Sequence, residues 1–228
     1  MAQEASQEDT TIEKGAEIFQ ASCASCHGEG GEGKNVLGPS LIGVGAASAD
    51  FWVSTGRMPL ADPDAQALRK EPAYTPGEID QIVAYVASLD VGPEIPEVDL
   101  EGADLSDGQQ SFIANCSPCH GATGNGGASG KGSLAPSLYA AEPVTVAEAV
   151  LIGPGQMPKF EFTTEERNDV GRFVEYLRER NNPGGADLGG IGPVPEGFVG
   201  LGIGLGALVI VALILGKERA KAPGGLES

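Results

Sequence analysis

The chain has few of the residues that ligate metals or carry redox and nucleophilic chemistry: of 228 residues, four are cysteine, two histidine and three methionine. Positive charge is also scarce, with 14 Lys and Arg against 32 Asp and Glu and a net charge of −18. That balance excludes a nucleic-acid partner, because binding a phosphate backbone rests on clusters of Lys and Arg. Gly and Pro, at 35 and 16, fall short of the share that marks a low-complexity chain, so loop-rich folded domains are expected. Val/Ile-rich alternating strands are missing around the cysteines, which removes the βαβ setting of a thioredoxin-like dithiol.

The few reactive residues are placed in a pattern. The cysteines form two pairs, Cys23-Ala24-Ser25-Cys26 and Cys116-Ser117-Pro118-Cys119, and His27 and His120 follow them directly. Cys-x-x-Cys-His is the attachment pattern of haem c: two thiols add to the porphyrin vinyls as thioethers and the adjacent imidazole reaches the iron. A four-Cys zinc site is the plainer alternative, but zinc ribbons bring their pairs closer in sequence, and zinc does not need a His after both pairs. Apart from Met1, the methionines are Met58 and Met157, each before a proline and each downstream of a motif. Filling core gaps is the commonest role of Met. One Met per motif nevertheless points to thioether ligation, which stabilises ferrous iron and raises the potential. With His and Met on both irons no coordination position is open, which disfavours peroxidase or oxygen chemistry.

An offset of 93 residues superimposes the two motifs together with Gly15 on Gly108, Phe19 on Phe112, Ala21 on Ala114 and Gly28 on Gly121. Pro39-Ser40-Leu41 and Pro136-Ser137-Leu138 recur after the Gly-rich stretches. The repeat predicts a domain over 11–89 and another over 108–182, after a polar tail at 1–10. Ile12, Ala16, Phe19 and Cys23 have helical spacing, as do Ile79, Ile82, Val83, Val86 and Leu89. Thr75 with Glu78, and Thr163 with Glu166, have capping-box spacing. Gly15, poor in helix propensity, predicts a close backbone crossing with the helix carrying Tyr85, repeated by Gly108, Phe112 and Tyr176. Tyr85, Tyr176 and Trp52 are read as packing residues.

Gly28-Glu29-Gly30-Gly31-Glu32-Gly33-Lys34 has the outline of a phosphate loop, but Asn35 replaces the magnesium-binding hydroxyl and two glutamates repel phosphate. The glycines instead let the chain fold around the attachment site, where Pro39 and Pro136 are expected to present carbonyls to the Nδ1 atoms of His27 and His120. Residues 90–107 hold seven acids and no Lys or Arg, which predicts a solvated, extended connector.

A Gly/Pro connector at 183–197 leads to 198–216, which carries no charge and has the length of a membrane-spanning helix. Lys217, Arg219 and Lys221 follow it, so the tail at 217–228 is expected in the cytoplasm and both haem units outside the cell membrane. Residues 1–10 have no apolar core of a signal peptide, and an export signal is expected to have been removed or to lie upstream. Overlapping Gly-x-x-x-Gly pairs from Gly200 to Gly206 allow close helix packing.

These features, with Ser40-Leu41-Ile42-Gly43-Val44-Gly45-Ala46-Ala47, Thr55-Gly56-Arg57-Met58-Pro59 and Gly192-Pro193-Val194-Pro195-Glu196-Gly197, resemble the dihaem cytochrome c subunits of actinobacterial cytochrome bcc complexes, the quinol–cytochrome c reductases. The resemblance implies an all-α chain of two tandem class I cytochrome c domains and a C-terminal transmembrane helix. It implies two covalent haems c, on Cys23, Cys26, His27 and Met58 and on Cys116, Cys119, His120 and Met157. It further implies an electron-transfer subunit with no substrate chemistry of its own, working with a cytochrome b subunit, a Rieske iron–sulfur subunit and an aa3-type oxidase in the lipid bilayer. A free-standing, membrane-anchored dihaem carrier is the alternative.

Overall fold

A computed structural model describes residues 2–130, 132–180 and 193–220 of the chain. Most of the expected Gly/Pro connector, up to residue 192, and the tail from Lys221 lie outside the described residues.

The first domain is built on α1 (Ala2–Ser22), a one-turn α2 (Ala24–His27), α3 (Gly45–Ser54) and α4 (Pro76–Ser88). The expected polar tail is therefore helical, and α1 runs back well beyond Ile12. Residues 2–9 contain Ala, Gln and Glu with no Gly or Pro, and acids near a helix N-terminus favour its dipole, so nothing in the sequence stops the helix earlier. Thr75 and Glu78 close a full capping box that starts α4. One face of α4 buries Ile79, Ile82, Val83 and Val86 against Phe19 of α1 and against Ala49 and Val53 of α3.

The second domain repeats this plan with α5 (Leu105–Asn115), α6 (Ser117–His120), α7 (Pro143–Ile152) and α8 (Thr164–Glu179). Thr163 and Glu166 form the second capping box. Phe112, Val146, Val170, Phe173, Val174 and Leu177 make the core. Phe19 and Phe112 are both fully buried, and each contributes roughly 1.5–3 kcal/mol through the hydrophobic effect. A short antiparallel hairpin, β1 (Gly127–Gly130) with β2 (Ser133–Ala135), interrupts the otherwise helical fold.

The terminal helices of each domain cross where glycine removes the side chain. A Cβ on Gly15 would collide with the Gln81 carbonyl and Cβ of Tyr85, and one on Gly108 with the Asp169 carbonyl and Phe173. The residue at the second crossing is thus Phe173 rather than Tyr176. Phe19 meets Tyr85 with ring centroids 5.0 Å apart and Phe112 meets Phe173 at 5.2 Å, while Tyr176 stacks on the outer side of Phe173.

The acidic connector is docked rather than wholly solvated. Ala47 donates to the Pro93 carbonyl at 3.0 Å, and the Asp104 amide donates to the Asp169 carboxylate at 2.7 Å. Its last three residues already belong to α5, because the Asp104 side chain accepts from the amides of Ser106 and Asp107 and caps that helix.

The domains also meet directly. Ala47, Phe51 and Trp52 of α3 pack on Ala149, Leu151 and Ile152 of α7, forming an apolar seam. Beyond the second domain, α9 (Pro193–Ala220) contains a 21-residue segment, Gly197–Lys217, apolar and long enough to cross a membrane. Its leucines and isoleucines are exposed, and a Cβ on Gly200, Gly202, Gly204 or Gly206 would meet no atom of the chain.

Candidate functional site

In each domain the first long helix ends at a cysteine and the chain turns at once into a one-turn helix that ends on the histidine. Cys26 and His27 donate their amides to the Cys23 carbonyl, and Cys119 and His120 do the same to Cys116. That turn gathers both thiols and the imidazole at the end of a rigid helix. All four cysteines are free thiols. Burial, with a smaller push from Cys26, raises the Cys23 thiol, and burial followed by the neighbouring Cys119 raises Cys116 to about 11. A dithiol redox centre needs the opposite, a thiol pKa lowered toward neutrality, so the thioredoxin-like reading loses its remaining support.

The Gly-rich stretches fold back over the histidines in the same way in both domains. Gly33 donates to the His27 carbonyl at 2.6 Å and Gly126 to the His120 carbonyl at 2.8 Å. Leu41 returns to the Gly31 carbonyl, and Leu138 to that of Gly124. Gly33 and Gly126 have φ of 85° and 84°, and a Cβ there would strike the backbone of Ser40 and Ser137, so only glycine lets the loop close.

Closure brings the Pro39 carbonyl to 2.8 Å from Nδ1 of His27 and the Pro136 carbonyl to 2.9 Å from Nδ1 of His120. The expectation for both prolines is met. With Nδ1–H donating to the carbonyl, Nε2 is left as the lone-pair nitrogen, the form an iron ligand requires. Burial also lowers the His120 pKa, partly offset by the Pro136 contact, and so favours the neutral ring.

Met58 and Met157 sit in the loops after α3 and α7, both half-buried. The Met58 amide donates to the Trp52 carbonyl, and the side chain borders the core cluster that Cys23 also borders. Met157 is held by a turn to the Pro154 carbonyl. Beside Met58, the Arg57 guanidinium lies 4.7 Å above the Phe51 ring, with Nη1 buried and lacking an acceptor. Haem carries two propionate carboxylates, acceptors of the kind this orphaned cation lacks. Free thiols, oriented imidazoles, soft thioethers and an unpaired guanidinium are therefore a donor set that fits haem c.

Three features of the surroundings are absent from the sequence reading. Gln66 reaches from the first domain to the backbone of Leu134 in the second. Arg57 has the unpaired position just described. Glu148 is fully buried at the seam, facing Asp50. Only Glu148 had a visible signal, as the lone charge in the apolar stretch Pro143–Ile152.

The family described as Cytochrome c matches residues 12–90, and that described as Cytochrome C oxidase, cbb3-type, subunit III matches residues 103–177. The chain is 41 % identical over 218 residues to the cytochrome bc1 complex cytochrome c subunit of Mycobacterium tuberculosis, covering 91 % of this chain and 78 % of that protein. It is 37 % identical over 227 residues to the subunit of the same name from Corynebacterium efficiens, covering 91 % and 77 %. A more distant likeness, 33 % over 129 residues, is to the cbb3-type cytochrome c oxidase subunit CcoP of Rhodobacter capsulatus, covering 51 % and 41 %.

Proposed function

Because the chain belongs to the cytochrome c subunits of cytochrome bc1 complexes, we propose that it is the membrane-anchored relay of a quinol-oxidising respiratory complex. In this reading it accepts single electrons from a Rieske iron–sulfur subunit at its first domain. It delivers them from its second domain to the copper centre of an aa3-type oxidase, with a cytochrome b subunit as the site of quinol oxidation.

Two haems c are assigned, one per domain, and haem c supplies reversible one-electron chemistry when bound. Cys23 and Cys26, and Cys116 and Cys119, are the covalent anchors. His27 and His120 would hold the irons through Nε2, each ring being fixed by a proline carbonyl. Met58 and Met157 would supply the second protein ligand to each iron, and their soft sulfur would favour the reduced state and a high potential. With a His and a Met holding each iron, these domains would carry electrons rather than activate a substrate.

The observation that carries the reading is the repeated contact of Nδ1 with a proline carbonyl directly behind a Cys-x-x-Cys pair, at 2.8 and 2.9 Å. Lys217, Arg219 and Lys221 after the apolar helix support an extracytoplasmic location for both domains and a cytoplasmic C-terminus in the cell membrane.

Purification through this chain in mild detergent tests the assignment. Recovery of cytochrome b, Rieske and oxidase subunits with quinol-oxidising activity is expected. A dihaem protein recovered alone and inactive toward quinol would identify a free-standing carrier instead.

A further inference from the structure

Glu148 is an unusual side chain to find at the junction of two domains. It is 0 % exposed, neither carboxylate oxygen receives a hydrogen bond, and it forms no ion pair among the described residues. It lies on α7, in the helix pair that makes the apolar seam, and the ionisable group facing it is Asp50 of α3. We propose that Glu148 and Asp50 hold a proton between them across this seam, and that this proton controls how firmly the two cytochrome c domains are held together.

The surroundings leave few other ways to stabilise the pair. The other group acting on Asp50 is a third carboxylate, Asp80 of α4. On the far side of α7, the cations of α8 are engaged elsewhere: Arg172 with Glu175, Arg178 with Glu142, and Arg167 with the Phe162 carbonyl. Arg57, in the loop after α3, lies over Phe51 with Arg69 as its charged neighbour. A bridging metal ion would need a third ligand, and no cluster of three His, Cys, Asp or Glu fit to hold one occurs among the described residues. Two buried carboxylates without a cation cannot both ionise at low cost. A proton on one of them turns the repulsion into a hydrogen bond.

The direction of the pH effect follows. Burial first, then the charge of Asp50, raises Glu148 to about 9; burial, and to a lesser degree Asp80, also raise Asp50. The docked state therefore binds more protons than the separated one between the ordinary carboxylate range and about 9. Docking is firmest at acid pH, weakens through that interval, and is weakest once the pair carries two charges.

Hydrogen exchange on the intact, haem-loaded chain in detergent tests this, with amides of the α1 and α4 crossing as the reference for intrinsic exchange. Protection of α3 and α7 relative to that reference should fall about tenfold or more between about pH 5.5 and about pH 9.5. Glu148→Gln keeps the shape and stays neutral, so the part of the fall that extends up to about pH 9 should disappear. It should also remove one protonated-carboxyl band from the infrared spectrum. Asp50→Asn, on the half-exposed side, should move the midpoint of the loss to lower pH. Relative protection in the native chain that is flat with pH, a fall toward about pH 9 that persists unchanged in Glu148→Gln, or a midpoint unmoved in Asp50→Asn would each overturn the proposal.

Discussion

Gln66 binds Leu134 with both ends of its side-chain amide: Nε2 donates to the Leu134 carbonyl at 2.6 Å, and Oε1 accepts from the Leu134 amide at 3.0 Å. The glutamine thus acts as a short extra strand, reaching from the loop after Met58 to β2 of the second domain. It is the polar complement of the apolar seam between α3 and α7.

Gln66→Ala should remove this link without disturbing either core. Two exposed hydrogen bonds are worth about 1–2 kcal/mol together, so exchange of the Leu134 amide should accelerate by roughly five- to thirtyfold. The α4 amides should be unchanged, which mass-resolved hydrogen exchange would read directly.

Gly15→Ala and Gly108→Ala should each force apart a pair of crossing helices. The added methyl meets backbone, which cannot rotate away. A loss of about 2–3 kcal/mol is expected, typical of overpacking at a rigid contact. Denaturant unfolding followed by far-ultraviolet circular dichroism checks it, and Gly77→Ala, where the new Cβ meets nothing, is the control.

Met58→Ala and Met157→Ala should each remove part of the absorption band that reports Met–iron ligation, and the double variant should remove all of it. An unchanged spectrum in either single variant would reject that Met as a ligand. Midpoint potentials should fall in the domain that loses its thioether, because the sulfur favours ferrous iron.

Arg57→Gln keeps much of the side chain's packing and removes its charge. If the orphaned guanidinium serves a haem propionate, the potential of the first domain should drop by on the order of tens of millivolts while that of the second is unmoved. Potentiometric titration resolved by domain distinguishes this from a general loss of structure, which would alter the Met band as well.

Much of the fold was legible because the scarce residues and helix signals are local. The two Cys-x-x-Cys-His turns, both capping boxes and the Gly15 crossing are each encoded within a few residues. The crossing residue of the second domain was misplaced for a physical reason. Matching tyrosine to tyrosine singles out Tyr176, but the stretches between the cysteine motifs and the last helices differ in length, and counting from the caps Thr75 and Thr163 puts Phe173 opposite Tyr85. The docked connector was hidden because its acids mark solvation while Pro93 and Asp104 bind through backbone groups that composition does not reveal. The pair Asp50 and Glu148 depends on tertiary packing between domains, which no local pattern encodes.

The hold of Pro39 and Pro136 on the two imidazoles also bears on speed. An electron moves fastest between centres whose surroundings need not rearrange when charge arrives or leaves. A ring fixed by a backbone carbonyl, itself closed in by Gly33 or Gly126, has little freedom to swing. Its orientation is set during folding rather than at the moment of transfer. With the two histidines as iron ligands, the rigidity that glycine and proline give these loops would keep the activation barrier low.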